Sequence, residues 1–104
     1  MSFIDIVITC PDRAGAETIA RACVEERLAA CANIGGSVTS IFRWKGAIET
    51  ADEITLTLKT RASLFDKLSQ RVKALHPYEV PCIIAMELEA VEPAYAAWLE
   101  AETD

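Results

Sequence analysis

One histidine and four cysteines are the residues of this sequence best suited to bind a transition metal. Thiolate and imidazole are ligands for copper and zinc, and Cys31 and His76 are predicted to follow the first and second helices, which would place them close together. Glu79, three residues after His76, could add a carboxylate oxygen. Because no closed set of four ligands is present, we expect such a site to be open and weak rather than structural. The alternative is that Cys31 is a small buried apolar residue and that His76 is solvated.

The other cysteines give weaker signals. Cys10, which precedes Pro11, and Cys82 are further candidates for a soft metal ligand, although such cysteines are more often part of a core or a loop. No C-x-x-C pair is present, which argues against a zinc knuckle or a thioredoxin-type motif. Cys31 and His76 could also act as a nucleophile and a base, but the sequence shows no third group to orient them. We therefore predict a binding protein and not an enzyme.

A second candidate site is a cleft between subunits, which four residues could line: Arg43, Trp44, Lys59 and Tyr78. Cationic and aromatic side chains together would suit a small anion or a nucleotide. The alternative is that Trp44 anchors a hairpin in an interface, while the two cations pair with acids such as Glu49 or Glu53. No glycine-rich phosphate loop is present, so nucleotide binding has no direct support from a motif.

Composition and charge limit the classes of protein to which the chain can belong. The 104 residues, 52% of them apolar, are enough for one domain, spanning 1–104. A net charge of −6, carried by the acidic C-terminal segment, makes nucleic acid and anionic membranes poor candidates for partners. Asp5 interrupts the first apolar run, and no apolar stretch approaches the roughly 20 residues of a membrane span. These features predict a cytoplasmic protein with reduced thiols.

The apolar pattern alternates between strand and helix periods along the chain. Asp12 is a candidate cap for the first helix, and Gly35-Gly36 inside a strand indicates a bulge or a close approach of backbones. Lys45-Gly46 is typical of a hairpin turn. The predicted strands are 3–9, 33–44, 48–60 and 82–88, and the predicted helices are 14–30, 62–75 and 93–102, with an extended loop at 76–81.

This βαββαβ order followed by a C-terminal helix predicts an α+β, ferredoxin-like fold, with two helices on one face of an antiparallel sheet. The first and last strands are apolar on both faces: if Ile4 and Ile6 face the helices, Val7 faces away from them. A sheet that is wet on one side should alternate cleanly between apolar and polar residues. A C-terminal helix of about ten residues cannot cover a whole sheet face, so we predict a subunit interface there.

Four segments of the chain resemble the signature of the CutA1 family, in order and at matching separations. They are Glu25–Asn33, Thr39–Gly46, Leu58–Arg61 and His76–Pro81, and a terminal Tyr95-x-x-Trp98 extends the likeness over nearly the whole chain. Two positions depart from the family pattern. Phe42 stands where the family usually has tyrosine, and Cys82 stands where an acidic residue is common.

The resemblance implies a tight homotrimer, similar in architecture to the nitrogen-regulatory PII proteins. It also implies a role in tolerance to copper and other divalent cations. We expect no organic cofactor. The leading hypothesis is therefore a metal-responsive, metal-binding trimer with Cys31, His76 and Glu79 as ligands. Two alternatives are a PII-like sensor that binds a small anion or nucleotide between subunits, and a structural trimer that holds a partner protein.

Overall fold

A computed structural model describes all of residues 1–104 and contains four strands and three α-helices. Their order confirms the predicted βαββαβ arrangement with an additional C-terminal helix. The second predicted helix begins as a short 3₁₀ turn at Ala62–Leu64 before its α-helical part. The elements are β1 (Phe3–Cys10), α1 (Arg13–Glu25), β2 (Cys31–Trp44), β3 (Ala47–Arg61), α2 (Phe65–Leu75), β4 (Ile83–Glu87) and α3 (Pro93–Ala101).

The four strands form one antiparallel sheet in the order β2-β3-β1-β4, which is the ferredoxin-like arrangement. In β1 the isoleucines alternate with Asp5 and Val7, and Ile6 and Ile8 have no exposed surface. They pack against α1 and α2, whose apolar sides complete the core. Its other fully buried members include Cys10, Ala16, Cys23, Leu56, Leu58, Leu68 and Val72.

Helix α1 begins at its predicted cap but ends earlier than predicted. The Asp12 carboxylate accepts a hydrogen bond of 2.7 Å from the Gly15 amide. At the other end, Arg27 adopts a positive φ of 60°, and the Leu28 amide donates back to the Cys23 carbonyl. These contacts form a Schellman motif, which stops the helix at Glu25. The predicted extension to residue 30 is therefore wrong, because residues 28–30 are buried in a non-helical segment.

Two arginines hold the end of α3 against the rest of the domain. The Arg27 guanidinium donates to the Ala101 carbonyl at 2.7 Å and to Asp104 Oδ1 at 2.9 Å. Arg61 donates to the carbonyl of Glu100 at 2.6 Å and to both oxygens of Thr103. The free carbonyls at a helix C-terminus favour positive charge, so both contacts stabilise the docked helix.

Strands β2 and β3 form a long hairpin that extends past the end of β1. The pairing of β1 with β3 stops at Ile54, so residues 37–53 project beyond the rest of the sheet. A two-residue turn closes the hairpin, with positive φ at Lys45 (49°) and Gly46 (83°), as a type I′ turn requires. The predicted bulge is confirmed: the pairing shifts between Ile34 and Ser37.

The sheet face opposite α1 and α2 is only partly covered. Helix α3 buries Leu99 against Phe3 and Ala30 at one end of this face. Beyond it, Ile84 (54% exposed) and Met86 (53% exposed) remain open. Val7 lies opposite Ile84 on β1, and these three residues form an apolar area that we call the open face; Asp5, opposite Met86, lies at its border.

The large side chains of α3 divide between core and surface. Leu99 is buried, whereas Tyr95 and Trp98 are about 40% exposed. Their rings pack against each other with centroids 5.4 Å apart. A helix of nine residues has one narrow buried side, and in α3 that side is occupied by Leu99.

The close approach of backbones at the bulge yields a stability prediction. A Cβ at Gly35 would clash with Thr55 Oγ1, whereas a Cβ at Gly36 would meet no atom within 4 Å. Gly35→Ala is therefore expected to lower the free energy of unfolding by about 1–3 kcal/mol, the usual cost of overpacking. Guanidinium denaturation measures the change. The matched variant Gly36→Ala should stay close to the parent, and adding Thr55→Ala should recover part of the Gly35→Ala loss.

Candidate functional site

His76 is held by two hydrogen bonds at the end of the sheet. The side chain is buried, and Nε2 lies 2.8 Å from the Thr9 carbonyl at the end of β1. The Tyr78 amide donates to Nδ1 at 3.2 Å. These partners fix the neutral tautomer with its proton on Nε2, because a carbonyl can only accept and an amide can only donate. Both ring nitrogens are thus used within the chain, and the solvated alternative for His76 is wrong.

Tyr78 connects the same loop to strand β3. Its hydroxyl donates to Glu53 Oε2 at 2.9 Å, and the Glu53 side chain is only 5% exposed. Burial, followed by the hydrogen bond to Glu53, raises the pKa of Tyr78 to about 12. The phenol therefore remains protonated at neutral pH and serves as the donor that a buried carboxylate requires.

A cavity of about 500 Å³ lies between the projecting hairpin and the loop at 76–81. The residues that line it include the aromatic Phe42, Trp44 and Tyr78 and the acidic Glu49 and Glu79. Phe42 and Glu49 are direct partners across the hairpin and therefore share a face with Trp44. The predicted cleft residues Trp44 and Tyr78 are thus brought together, although within one subunit.

Arg43 and Lys59, the two cations predicted for a cleft between subunits, do not line this cavity of the single chain, and the cleft between subunits stays a prediction. Arg43 is adjacent to Trp44 in β2 and consequently points to the opposite face of the hairpin. Lys59 is near the other end of β3, where its ammonium lies 3.3 Å from Asp5 Oδ1. The expected pairing of the cations with Glu49 or Glu53 is also wrong for Lys59, since Asp5 is its partner and Glu53 binds Tyr78.

Cys31 lies beside this Lys59–Asp5 pair. It is the first residue of β2 and the direct partner of Lys59, and its thiol is 3.8 Å from Asn33 Oδ1. Burial raises the pKa of Tyr95 on α3, and proximity to the Cys31 thiol adds to the shift. The surroundings of Cys31 are therefore polar and partly accessible, which distinguishes it from a core cysteine.

Cys31 and His76 do not lie together within one chain. Cys31 follows the end of α1 by six residues and belongs to a strand, so it is not at the helix end where we expected it. Cys31, Lys59 and Asp5 lie in one row across the sheet, and Asp5 is four residues from Thr9 along β1, or about 14 Å at roughly 3.4 Å per residue. No group of three or more His, Cys, Asp or Glu side chains forms a metal cluster in the chain. Metal binding by Cys31, His76 and Glu79 stays a prediction.

The remaining cysteines divide into buried and exposed thiols. Cys10 and Cys23 are fully buried, and burial is the main cause that raises the pKa of each to about 11. Their thiolates, the forms that bind metal, are therefore disfavoured at neutral pH. Cys82 is exposed on the segment before β4. Cys31 and Cys82 are thus the two thiols that solvent can reach.

Sequence reasoning did not find the Tyr78–Glu53 contact, because 25 residues separate the two side chains and no local pattern links them. A weak signal was present in β3, where Glu53 comes directly before the alternating segment 54–60.

None of the three helices is both long and apolar enough to cross a membrane.

The sheet order, the two helices on one face and the projecting hairpin define a ferredoxin-like α+β protein. Residues 4–102 match the family described as CutA1 divalent ion tolerance protein. The chain belongs to the CutA1 family. It is similar to the divalent-cation tolerance protein CutA of Thermus thermophilus, with 48% identity over 94% of this chain and 95% of the relative.

Solved structures agree with this assignment. The Thermus thermophilus structure superposes with a TM-score of 0.95, covering 98% of this chain and 99% of that one at 46% identity. A structure from Archaeoglobus fulgidus, described as a periplasmic divalent cation tolerance protein CutA, gives a TM-score of 0.94 at 37% identity, over 98% of this chain and 99% of that one. The mouse protein CutA is 44% identical over 93% of this chain, which spans about half (55%) of the mouse protein's length.

The Tyr78–Glu53 contact leads to a prediction about stability and pH. Tyr78→Phe removes the donor and leaves a buried carboxylate unsatisfied, so it is expected to lower the free energy of unfolding by about 1–3 kcal/mol at pH 7. Because the folded-state pKa of Tyr78 is raised from 10.0 to about 12, its stabilising contribution should be present below pH 10 and lost as pH rises to 12.

Guanidinium denaturation of both proteins at a series of pH values measures these effects. The stability difference between parent and Tyr78→Phe should shrink above pH 10, while the alkaline loss due to Cys10 and Cys23 should remain in both. A difference that stays constant from pH 7 to pH 12 would contradict the role given to the phenol.

Proposed function

We propose that this protein acts as a cytoplasmic homotrimer that binds divalent cations, copper among them, and that this binding is its part in cation tolerance. The observation that carries the proposal is the position of Cys31, a partly accessible thiol in polar surroundings at the edge of the open face. A thiolate is a ligand for copper and zinc. The names of the relatives, which describe divalent-cation tolerance, support the same function.

The open face supports the trimer. Ile84 and Met86 are more than half exposed in a single chain, and Val7 lies beside them on β1. Contiguous exposed apolar surface of this kind marks an association surface. Packing of three such sheets around a common axis would bury this face in every subunit.

The metal is placed at Cys31 because the other predicted ligands have partners. His76 would have to release Thr9 or Tyr78, and Glu79 lies 3.7 Å from the Lys45 ammonium. The oxygen atoms near Cys31 in a single chain include the Asn33 amide oxygen and the Tyr95 hydroxyl, and no group of three or more His, Cys, Asp or Glu side chains completes a ligand set there. Neighbouring subunits or water would supply the remaining ligands, so we propose an open site of modest affinity.

We propose a binding role without catalysis, in keeping with family names that describe a tolerance protein. The four cysteines are free thiols, the form that a reducing cytoplasm maintains.

A second candidate function is a structural trimer that holds a partner protein. The observation that favours it is the exposure of Ile41 (72%) and Ile48 (60%) on the projecting hairpin. The PII-like sensor for an anion has less support, because Arg43 and Lys59 do not reach the cavity that Trp44 and Tyr78 line.

Assembly is tested by sedimentation equilibrium at micromolar concentration, where the mass is expected to be three times the 11.4 kDa of the chain. Met86→Glu places a charge on the open face and should yield monomers, because a buried unpaired carboxylate is costly. Val24→Glu on α1 is the matched control and should leave the trimer intact. A monomeric parent protein would overturn the proposed interface.

Metal binding is tested by calorimetric titration with Cu(II) and Zn(II), alongside a nucleotide panel that addresses the sensor function. Cys31→Ser is expected to weaken Cu(II) binding, because a serine hydroxyl is a poorer ligand for copper than a thiolate, while the trimer persists. The matched control is Cys82→Ser, which removes the exposed thiol and should bind like the parent. Undiminished binding by Cys31→Ser would move the ligand set to His76 and Glu79, and binding of a nucleotide but no metal would favour the sensor.

A further inference from the structure

The cavity between the hairpin and the loop at 76–81 has an unusual combination of walls. Three aromatic residues, Phe42, Trp44 and Tyr78, line it together with the acidic residues Glu49 and Glu79. No lysine, arginine or histidine is among its lining residues. Aromatic faces carry partial negative charge and attract cations, as carboxylates do. Every charged or aromatic group in the wall thus favours a positively charged occupant.

The chain itself already places an ammonium group at the rim of this cavity. Lys45 Nζ lies 5.5 Å from the centroid of the Trp44 ring, within the range of a cation–π contact. The same nitrogen is 3.7 Å from Glu79 Oε2, and both side chains are about 70% exposed. The rim of the cavity can therefore hold an ammonium group against an aromatic ring and beside a carboxylate. Because the Lys45 side chain is exposed, another ammonium ion could displace it from Trp44.

The buried carboxylate behind Tyr78 strengthens the attraction. Glu53 accepts the Tyr78 hydroxyl hydrogen at 2.9 Å, and its charge is screened little because the side chain is buried. Donation to a carboxylate makes the phenol ring richer in electrons, and a richer ring binds a cation better. Glu53 thus contributes to the cavity through Tyr78 without lining it.

The chemistry of the wall distinguishes organic cations from metal ions. A divalent metal ion is strongly hydrated and needs several converging oxygen, nitrogen or sulfur ligands, and no such group of three exists in the chain. An alkylated ammonium ion is less strongly hydrated than a metal ion, and it is recognised by aromatic faces with a nearby carboxylate. The volume of about 500 Å³ is in the range of sites for small molecules.

We propose that this cavity binds a small organic ammonium cation, with Trp44 and Tyr78 as its aromatic walls, Glu49 as its counter-ion and Lys45 as a competing internal ammonium. This function is separate from metal binding at Cys31, which lies near the other end of the sheet.

The test is a titration of the assembled protein with tetramethylammonium chloride, and with tert-butyl alcohol as a neutral analogue of similar shape, at constant ionic strength. Binding is followed by NMR through the backbone amides of Gly46 and Tyr78, which flank the cavity. The ammonium is expected to give saturable shifts, and the neutral analogue should bind at least about tenfold more weakly. Methylammonium, in a third arm, distinguishes a primary from a quaternary ammonium as the preferred ligand.

Three variants test the assigned roles. Trp44→Leu should weaken tetramethylammonium binding by about tenfold through loss of the aromatic face, and Glu49→Gln should weaken it severalfold. Lys45→Met removes the internal competitor and should tighten binding. Glu17→Gln on α1 removes one negative charge far from the cavity in the fold and controls for net charge.

Equal binding of the ammonium and the neutral analogue would show a merely apolar cavity and would overturn the proposal. The absence of saturable shifts in the millimolar range would do the same. Because Cu(II) titration of the same sample reports on Cys31, failure here leaves the proposed metal function untouched.

Discussion

The fold depends on the packing of strand β1, which pairs with β3 along its whole length and with β4 on its other side. Ile6 and Ile8 are fully buried beneath α1 and α2. Because successive side chains of a strand point to opposite faces, this burial obliges Asp5 and Val7 to face the other way. One constraint therefore creates both the core and the open face. The end of the same strand also gives His76 its partner, the carbonyl of Thr9.

Strand β1 helps to determine the surroundings of two separate parts of the subunit, Cys31 and the loop that carries His76. At one end, Asp5 and Lys59 form an ion pair beside Cys31, so the thiol has polar neighbours. At the other end, the His76 loop is fixed against Thr9 and carries Tyr78 to the hairpin. The thiol and the aromatic cavity are thus separate in position, so the proposed metal site and the proposed site for an organic cation lie in different parts of one subunit.

Periodic patterns in the sequence were sufficient to predict the order of the elements, the Asp12 cap, the bulge near Gly35 and the ferredoxin-like fold. They failed where a single residue overrides a pattern. Apolar residues continue at helical spacing to Ala30, but Arg27 adopts a left-handed conformation that is usually given to glycine, so no local signal marks the end of α1. That error also misplaced Cys31.

Arg27, whose backbone is in the left-handed conformation, takes part both in ending α1 and in docking α3. Its guanidinium binds the Ala101 carbonyl and Asp104, and these contacts compensate for a backbone conformation that costs a residue with a Cβ roughly 1–2 kcal/mol. The segment that follows Arg27 is held in place as well, because the Thr60 hydroxyl donates to the carbonyl of the buried Leu28 at 2.6 Å. A single side chain, that of Arg27, therefore couples the end of α1 to the attachment of the C-terminal helix.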